Sequence, residues 1–117
     1  MEGEIQMEKL YILWTNADEV VFDKMVAMYA KNSKIKGWWN DVTIIIWGST
    51  AKLAVESESV APKIRELIRE GVAISACKAC SDALGATDRL RDMGVEVKYW
   101  GEGLTNILKS GEKLLTV

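Results

Sequence analysis

The chain has 117 residues, of which 49% are hydrophobic, and its 17 acidic residues nearly balance its 15 basic residues. This length supports one compact core, and the balanced charge provides no positive field for binding nucleic acid or an anionic membrane. No apolar run approaches the roughly 20 residues of a membrane-spanning helix, and the charged residues 1–9 do not resemble a secretory signal. The sequence therefore predicts a single cytoplasmic domain over residues 1–117, with residues 1–8 as a flexible tail.

The first half of the chain predicts two strands separated by a helix. Residues 10–14 form an apolar run that ends at the turn-prone Thr15 and Asn16. Asn16 is the predicted cap of the following helix, paired with Glu19 as in a capping box. Residues 42–47 form a β-branched run without alternation, which is typical of a parallel strand buried on both faces. The helix between them has an apolar stripe made of Val21, Phe22, Met25, Val26, Met28 and Tyr29.

The second half continues the alternation of helices and strands. Helices are predicted at residues 49–55, from Pro62 to Gly71, at 79–93 and at 104–109, with strands at 72–76, 95–100 and 113–117. Such alternation with short connections indicates a doubly wound, three-layer α/β/α domain with a mostly parallel five-stranded sheet.

Ligands of open parallel sheets bind outside the carboxyl ends of the strands, so the residues that follow each strand are candidate site residues. Three of the five tryptophans fall at this edge and suit a pocket wall, a subunit interface or a cap on the core. Trp38 and Trp39 fall at the opposite edge and are assigned to packing or assembly. The candidate binding residues at the carboxyl edge are Trp14, Thr15, Asn16, Trp47, Gly48, Trp100 and Gly101.

The cysteine pair Cys77 and Cys80 is the candidate reactive group. Cys77 is predicted to end the third strand, and Cys80 to lie in the first turn of the next helix. The helix dipole and Lys78 favour a thiolate there, whereas Asp82 opposes it. The three-residue spacing brings the two thiols together, so that either could resolve a sulfenate or persulfide on the other. Buried cysteines are also often inert, and that alternative stays open.

Several other site types are excluded or disfavoured. The chain has no histidine, which excludes Cys-His nucleophile pairs and His-containing zinc sites within it. Two thiolates supply half of a tetrahedral zinc site, so no metal is predicted. Thioredoxin-like proteins hold a cis-proline from a segment after their CxxC, whereas the only proline here, Pro62, precedes the cysteines. Residues 101–103 (Gly-Glu-Gly) lack the third glycine of a dinucleotide fingerprint and the lysine of a P-loop, so no cofactor is predicted either.

Four segments carry a family resemblance: ISACKACSDALG at residues 74–85, GVEV at 94–97, Gly101 with Leu104 and Thr105, and LKSGEKLLT at 108–116. With them, the sequence resembles the CxxC-containing branch of the DsrE/DsrF-like family, which is associated with sulfur relay. The resemblance implies a five-stranded parallel sheet, homotrimers or hexamers, and a strand-end cysteine that carries sulfur as a persulfide. Cys77 takes that position by alignment, and Cys80, the second cysteine, could be the principal thiol instead.

The sequence thus predicts a small sulfur-relay protein, a sulfurtransferase or sulfur carrier that exchanges sulfur with donor and acceptor proteins. In this hypothesis Cys77 accepts the sulfur, while Lys78 and Lys52 stabilise its negative charge. The tryptophans Trp14, Trp47 and Trp100 screen the persulfide from water. Two alternatives remain open: a non-catalytic oligomeric binding or assembly module with idle cysteines, and a thiol-disulfide redox protein.

Overall fold

A computed structural model describes residues 7–117, whose strands form one five-stranded, all-parallel sheet of order β4-β3-β2-β1-β5. The predicted α/β class is confirmed. Adjacent strands pair in register, for example Trp14 of the first strand opposite Ile46 of the second. The strands are β1 (Lys9–Trp14), β2 (Asp41–Ile46), β3 (Ala73–Cys77), β4 (Glu96–Lys98) and β5 (Lys113–Thr116).

The helices connect these strands in the predicted alternation. The first connection is one continuous helix made of α1 (Glu19–Val21), a π-helical segment (Phe22–Ala27) and α2 (Met28–Ile35). The other helices are α3 (Thr50–Glu56), α4 (Val60–Arg69), α5 (Lys78–Ala83), α6 (Thr87–Asp92) and α7 (Gly101–Ser110). No helix within residues 7–117 combines the length and the apolar character that crossing a bilayer requires.

The two faces of the sheet are covered unequally. Side chains from the π-helical segment, from α2, α3 and α4 and from α6 pack on one face around Ile12, Ile44 and Ile74 and form the main core. A second, smaller cluster lies on the opposite face, where Ile107 of α7 joins Ile45, Cys77 and Trp100. Successive residues of a strand point to opposite faces, so the strands β1, β2 and β3 each contribute to both clusters.

The prediction of a single helix over residues 79–93 is wrong. The segment forms two helices, α5 and α6, separated at Gly85, which has a left-handed backbone with φ of 66°. The break is held by hydrogen bonds, because the Ala86 N–H donates to the Ser81 carbonyl at 2.8 Å and the Ser81 and Thr87 hydroxyls lie 2.7 Å apart. Ser81 is fully buried, so its hydroxyl needs such partners.

The start of the first helix also differs from the prediction. Asp18 is its cap, and one carboxylate oxygen accepts hydrogen bonds from Val20 N at 2.8 Å and Val21 N at 2.9 Å. The predicted cap, Asn16, instead accepts from Asp18 N at 3.0 Å, and Glu19 accepts from the Ser57 hydroxyl at 2.7 Å. The helix begins two residues later than a cap at Asn16 would require.

The apolar stripe of this helix is shifted by the π-helical segment. Met25 and Met28, predicted to face the core, are 37% and 47% exposed. Phe22 and Val26 are buried as predicted, and the small residues Ala27, Ala30 and Ser33 complete the buried face. A π segment turns less per residue than an α-helix, which moves later side chains out of the α-helical stripe.

Smaller differences concern the ends of elements. β4 is only Glu96–Lys98, shorter than the predicted residues 95–100, and α7 begins at Gly101 rather than at residue 104. Of the predicted tail, residues 1–6 lie outside the described residues. Glu8 is held in place, because its N–H donates to the Asn40 side-chain oxygen at 2.8 Å and its carbonyl accepts from Asn40 N at 2.9 Å.

The cap assignment is tested by substitution. Asp18→Ala should lower the free energy of unfolding by about 1 kcal/mol, because two helix N–H groups lose their acceptor. Asn16→Ala, the control at the cap that the sequence suggested, should cost less than half as much. Urea denaturation measures both, and an equal or larger loss for Asn16→Ala would contradict the assignment.

Candidate functional site

Two free thiols lie where β3 passes into α5. Cys77 is the last residue of the strand and also the cap residue of the helix, with an extended backbone (φ −68°, ψ 115°). Cys80 is the third residue of the helix, so the pair spans its first turn. Their exposure differs: Cys77 is only 5% exposed, whereas Cys80 is half-buried. The outer thiol is therefore partly accessible to solvent, whereas the inner thiol is buried.

The walls around Cys77 are apolar. It packs with Ile45, Trp100 and Ile107, and the half-buried Trp47 and Cys80 lie against the same cluster. This is the smaller cluster, on the face that α7 covers. Sequence reasoning missed Ile45 and Ile107, although the two-residue strand alternation that places Ile45 beside Trp47 on this face is legible in the sequence. The arrangement keeps water away from the Cys77 sulfur.

The Trp100 ring is fixed from several sides. Its indole N–H donates to the hydroxyl of buried Ser75 at 2.8 Å, and that hydroxyl donates to a carboxylate oxygen of Glu96 at 3.0 Å. The Lys98 ammonium lies 4.5 Å from the ring centroid. A Cβ on Gly103 would lie 2.7 Å from Cε3 of the ring, so the ring occupies the space a side chain there would need. Trp100 thus closes the Cys77 pocket in one position.

Two clefts lie beyond Trp100 on the same face of the sheet. They measure about 640 and 380 Å³, and Tyr11, Lys98 and Trp100 line both. Neither cysteine lines either cleft. Trp100 therefore separates this open part of the sheet from the dry surroundings of Cys77.

The structure does not bring Trp14 to the cysteines. Trp14 points to the main core on the opposite face, where its ring centroid lies 4.5 Å from that of Phe22 and its indole N–H donates to the Asn16 carbonyl at 2.8 Å. The reason is register, since Trp14 pairs with Ile46, a main-core residue, whereas Trp47 is one position further and faces the other side. The expectation that three tryptophans screen the sulfur from water is therefore corrected, because only Trp47 and Trp100 lie on the side of the cysteines.

Thr15 and Asn16 lie at the predicted edge but bond elsewhere. Their backbone N–H groups donate to the Val117 carbonyl at 2.7 and 3.2 Å, and the Thr15 hydroxyl donates to the same oxygen at 3.0 Å. They hold the end of the chain beside β1. Gly101 is exposed as the first residue of α7 and borders Trp100 in sequence.

The predicted cations do not reach the sulfurs. Lys78 donates to a carboxylate oxygen of Asp82 at 2.6 Å and lies 5.2 Å from the Tyr99 ring centroid. The hydrogen bond to Asp82 raises the pKa of Lys78, so the charge persists but is paired with a carboxylate. Lys52 is exposed on α3, and no hydrogen bond or ion pair found among residues 7–117 joins it to a cysteine. The expectation that Lys78 and Lys52 stabilise negative charge on the sulfur is therefore corrected.

Gly48, predicted as a binding residue, is brought to Cys80. Burial raises the pKa of the Cys80 thiol, a backbone hydrogen bond from Gly48 acts in the opposite direction, and the neighbouring Cys77 adds to the increase. Burial thus outweighs the amide at this sulfur, contrary to the thiolate that the helix terminus favours. Gly48 has φ of 74°, a left-handed conformation suited to glycine, at the turn between β2 and α3.

Across residues 7–117, no three His, Cys, Asp or Glu side chains cluster as a metal site would require. What the site contains is a pair of neighbouring thiols, an amide donor at the outer one and apolar walls at the inner one. Such an arrangement can form and protect sulfur-sulfur bonds.

Fold and site together define a small α/β protein with paired thiols at the carboxyl edge of a parallel sheet. The family model for the DsrE/DsrF-like family matches residues 12–117, and the chain belongs to this family. A comparison with curated proteins finds no match.

Solved structures share the fold, two of them over nearly the whole chain. The conserved protein of unknown function BT1422 from Bacteroides thetaiotaomicron has 40% sequence identity and a TM-score of 0.92, with 94% of this chain and 95% of that one covered. The ychN protein from E. coli has 18% identity and a TM-score of 0.73, covering 95% of this chain and all of that one. The second likeness concerns the fold alone.

The raised pKa of Cys80 predicts how its reactivity depends on pH. Because the thiolate is the nucleophile, alkylation of Cys80 should still be increasing at a pH where the denatured chain has reached its plateau. Iodoacetamide labelling of the native protein, with the site resolved by peptide mass spectrometry, measures this profile. A midpoint at or below that of the denatured chain would contradict the effect of burial.

The packing of Trp100 predicts the effect of a single methyl group. Gly103→Ala should displace the ring, cost about 1–3 kcal/mol of unfolding free energy and speed alkylation of Cys77. Gly101→Ala is the matched control, because nothing lies within 4 Å of a Cβ at that position. Unchanged Cys77 labelling in a folded Gly103→Ala protein would show that Trp100 does not close the pocket.

Proposed function

We propose that this protein relays sulfur by carrying it as a persulfide on the pair Cys77 and Cys80. The observation that carries the proposal is the pairing of a half-buried thiol with one inside an apolar pocket, at a strand-to-helix junction in a member of the DsrE/DsrF-like family. The chemistry is that of a sulfur carrier or sulfurtransferase. It needs a reduced thiol, as a reducing cytoplasm would maintain.

Exposure favours Cys80 as the thiol that first meets the donor. The sequence hypothesis assigned that role to Cys77, but Ile45, Trp100 and Ile107 surround that residue and leave it 5% exposed. A donor protein presenting a persulfide needs an accessible nucleophile, and Cys80 is the more exposed of the two. The proposed roles are therefore exchanged, with Cys80 as the entry thiol.

The transfer itself needs little from the protein. The Cys80 thiolate attacks the outer sulfur of a donor persulfide, the donor S–S bond breaks and the donor leaves as a thiolate. The Gly48 amide that bonds to the Cys80 sulfur also favours its ionised form during the attack. Trp47 and the apolar cluster beside it limit water at the loaded sulfur.

Persulfide loading tests the proposal. After incubation with a persulfide donor and removal of excess, intact mass should rise by about 32 Da, one sulfur atom, on Cys77→Ser and, in samples quenched early, on wild type. Cys80→Ser should gain far less, because its remaining thiol is buried. A relay function would be rejected if no variant gained mass under conditions that load an established carrier.

An assembly role is the second candidate, and the uneven cover of the sheet favours it. Parallel sheets are usually covered on both faces, whereas open clefts lie beside α7 on one face here. Membership of the DsrE/DsrF-like family also supports a homo-oligomer, because the family resemblance implies trimers or hexamers. Light scattering of the purified chain would measure the assembly, and a monomer with inert thiols would leave neither proposal standing.

A further inference from the structure

Resting on the proposed function, we infer that a persulfide left on Cys80 without an acceptor is discharged by Cys77, which releases hydrogen sulfide and leaves a Cys77–Cys80 disulfide. The protein would then be a sulfide-releasing persulfide reductase as well as a carrier. Three observations support this: the position of the two thiols in one helical turn, the enclosure of Cys77, and the exposure of Cys80.

The backbone already suits a bond between the two sulfurs. Cys77 is the cap of α5 and Cys80 its third residue, so their side chains leave the same end of the helix. Residues three positions apart at a helical turn are side-chain neighbours, and a disulfide needs Cα atoms about 4.4–6.8 Å apart. Cys80 also packs against the cluster that contains Cys77. The two thiols are therefore close neighbours at the start of α5.

The enclosure of Cys77 restricts what it can attack. Ile45, Trp100 and Ile107 pack against it, so bulky external persulfides are kept away from its sulfur. The side chain of Cys80 packs against the same cluster and is the reactive neighbour of Cys77. A nucleophile held beside one electrophile reacts as if that electrophile were highly concentrated, which favours the internal attack.

The step is balanced in atoms and electrons. The Cys77 thiolate attacks Sγ of Cys80, the Cys77–Cys80 S–S bond forms, and the bond from that Sγ to the outer sulfur breaks with its electron pair on the leaving hydrosulfide. Together with loading, one donor persulfide and two protein thiols give one donor thiol, one protein disulfide and one hydrogen sulfide. A dithiol reductant then restores both thiols by exchange.

Competition with an acceptor follows from this arrangement. An acceptor thiolate attacks the outer sulfur carried by the half-buried Cys80, whereas Cys77 attacks the inner sulfur from the pocket side. The persulfide on Cys80 can therefore react in two ways. Relay dominates when an acceptor is docked, and sulfide release dominates when none is present.

The experiment follows loaded protein after removal of the donor, in the absence of any reductant. Wild type should lose its added sulfur, release about one sulfide per chain loaded and finish about 2 Da below the reduced protein, as a disulfide does. Cys77→Ser should keep the added sulfur at least tenfold longer. Serine is a favoured helix cap, so this variant is expected to fold. Ala79→Ser, an exposed change between the cysteines, should behave as wild type.

The outcomes separate this inference from the proposal on which it rests. If wild type loads sulfur and retains it as long as Cys77→Ser, without sulfide or disulfide, the inference fails while the carrier function stands. If neither protein loads sulfur, the carrier function itself fails. Peptide mapping of wild type alone gives an independent check, because sulfide release without a Cys77–Cys80 cross-link would also overturn the inference.

Discussion

The direction of the last crossover determines where the site lies. The chain passes from β1 to β2, β3 and β4 in one direction across the sheet and then returns to β5 on the far side of β1. Crossovers between parallel strands are almost always right-handed, so the reversal places α7 on the face opposite the other helices. That single helix provides Ile107, and the residue that precedes it is Trp100. The apolar pocket of Cys77 therefore exists because the connection from β4 to β5 reverses the direction in which the chain crosses the sheet.

Two opposing effects act on the thiols, and their balance gives the site its character. A helix N-terminus stabilises a thiolate, and an amide from Gly48 does so directly at Cys80. Burial opposes both and prevails at Cys80, while Lys78 is paired with Asp82. The outer thiol is consequently less acidic than its position on a helix suggests. For the proposed sulfur relay, such a thiol would depend on the donor persulfide for its reactivity.

The fold was predictable because its signals are local. The β-branched run that became β2 and the strand-end position of Cys77 both follow from patterns of burial within a few residues. The break at Gly85 was not predictable in this way, because it depends on hydrogen bonds between Ser81 and the segment beyond the break. The π-helical segment likewise moved Met25 outward, since local periodicity assumes an α-helix.

Only part of the site was within reach of sequence reasoning. The pairing of Cys77 with Cys80 and the nearness of Trp47 and Gly48 follow from strand ends that share an edge. The misplacement of Trp14 came from ignoring side-chain alternation, which assigns it to the other face. The pairing of Lys78 with Asp82 was legible as a helical i, i+4 pair. Which face α7 covers needed the strand order, and that is a property of the whole chain.

The contact between Trp100 and Gly103 couples two sequence positions through one volume. A larger residue at position 103 fits only if the indole at position 100 moves aside or is replaced, and a smaller residue at position 100 opens the sulfur pocket toward the neighbouring clefts. A glycine three residues after a tryptophan, at the start of this helix, thus indicates in the sequence that the indole encloses the inner cysteine. In related chains the identities of these two residues would indicate whether the inner cysteine is kept dry.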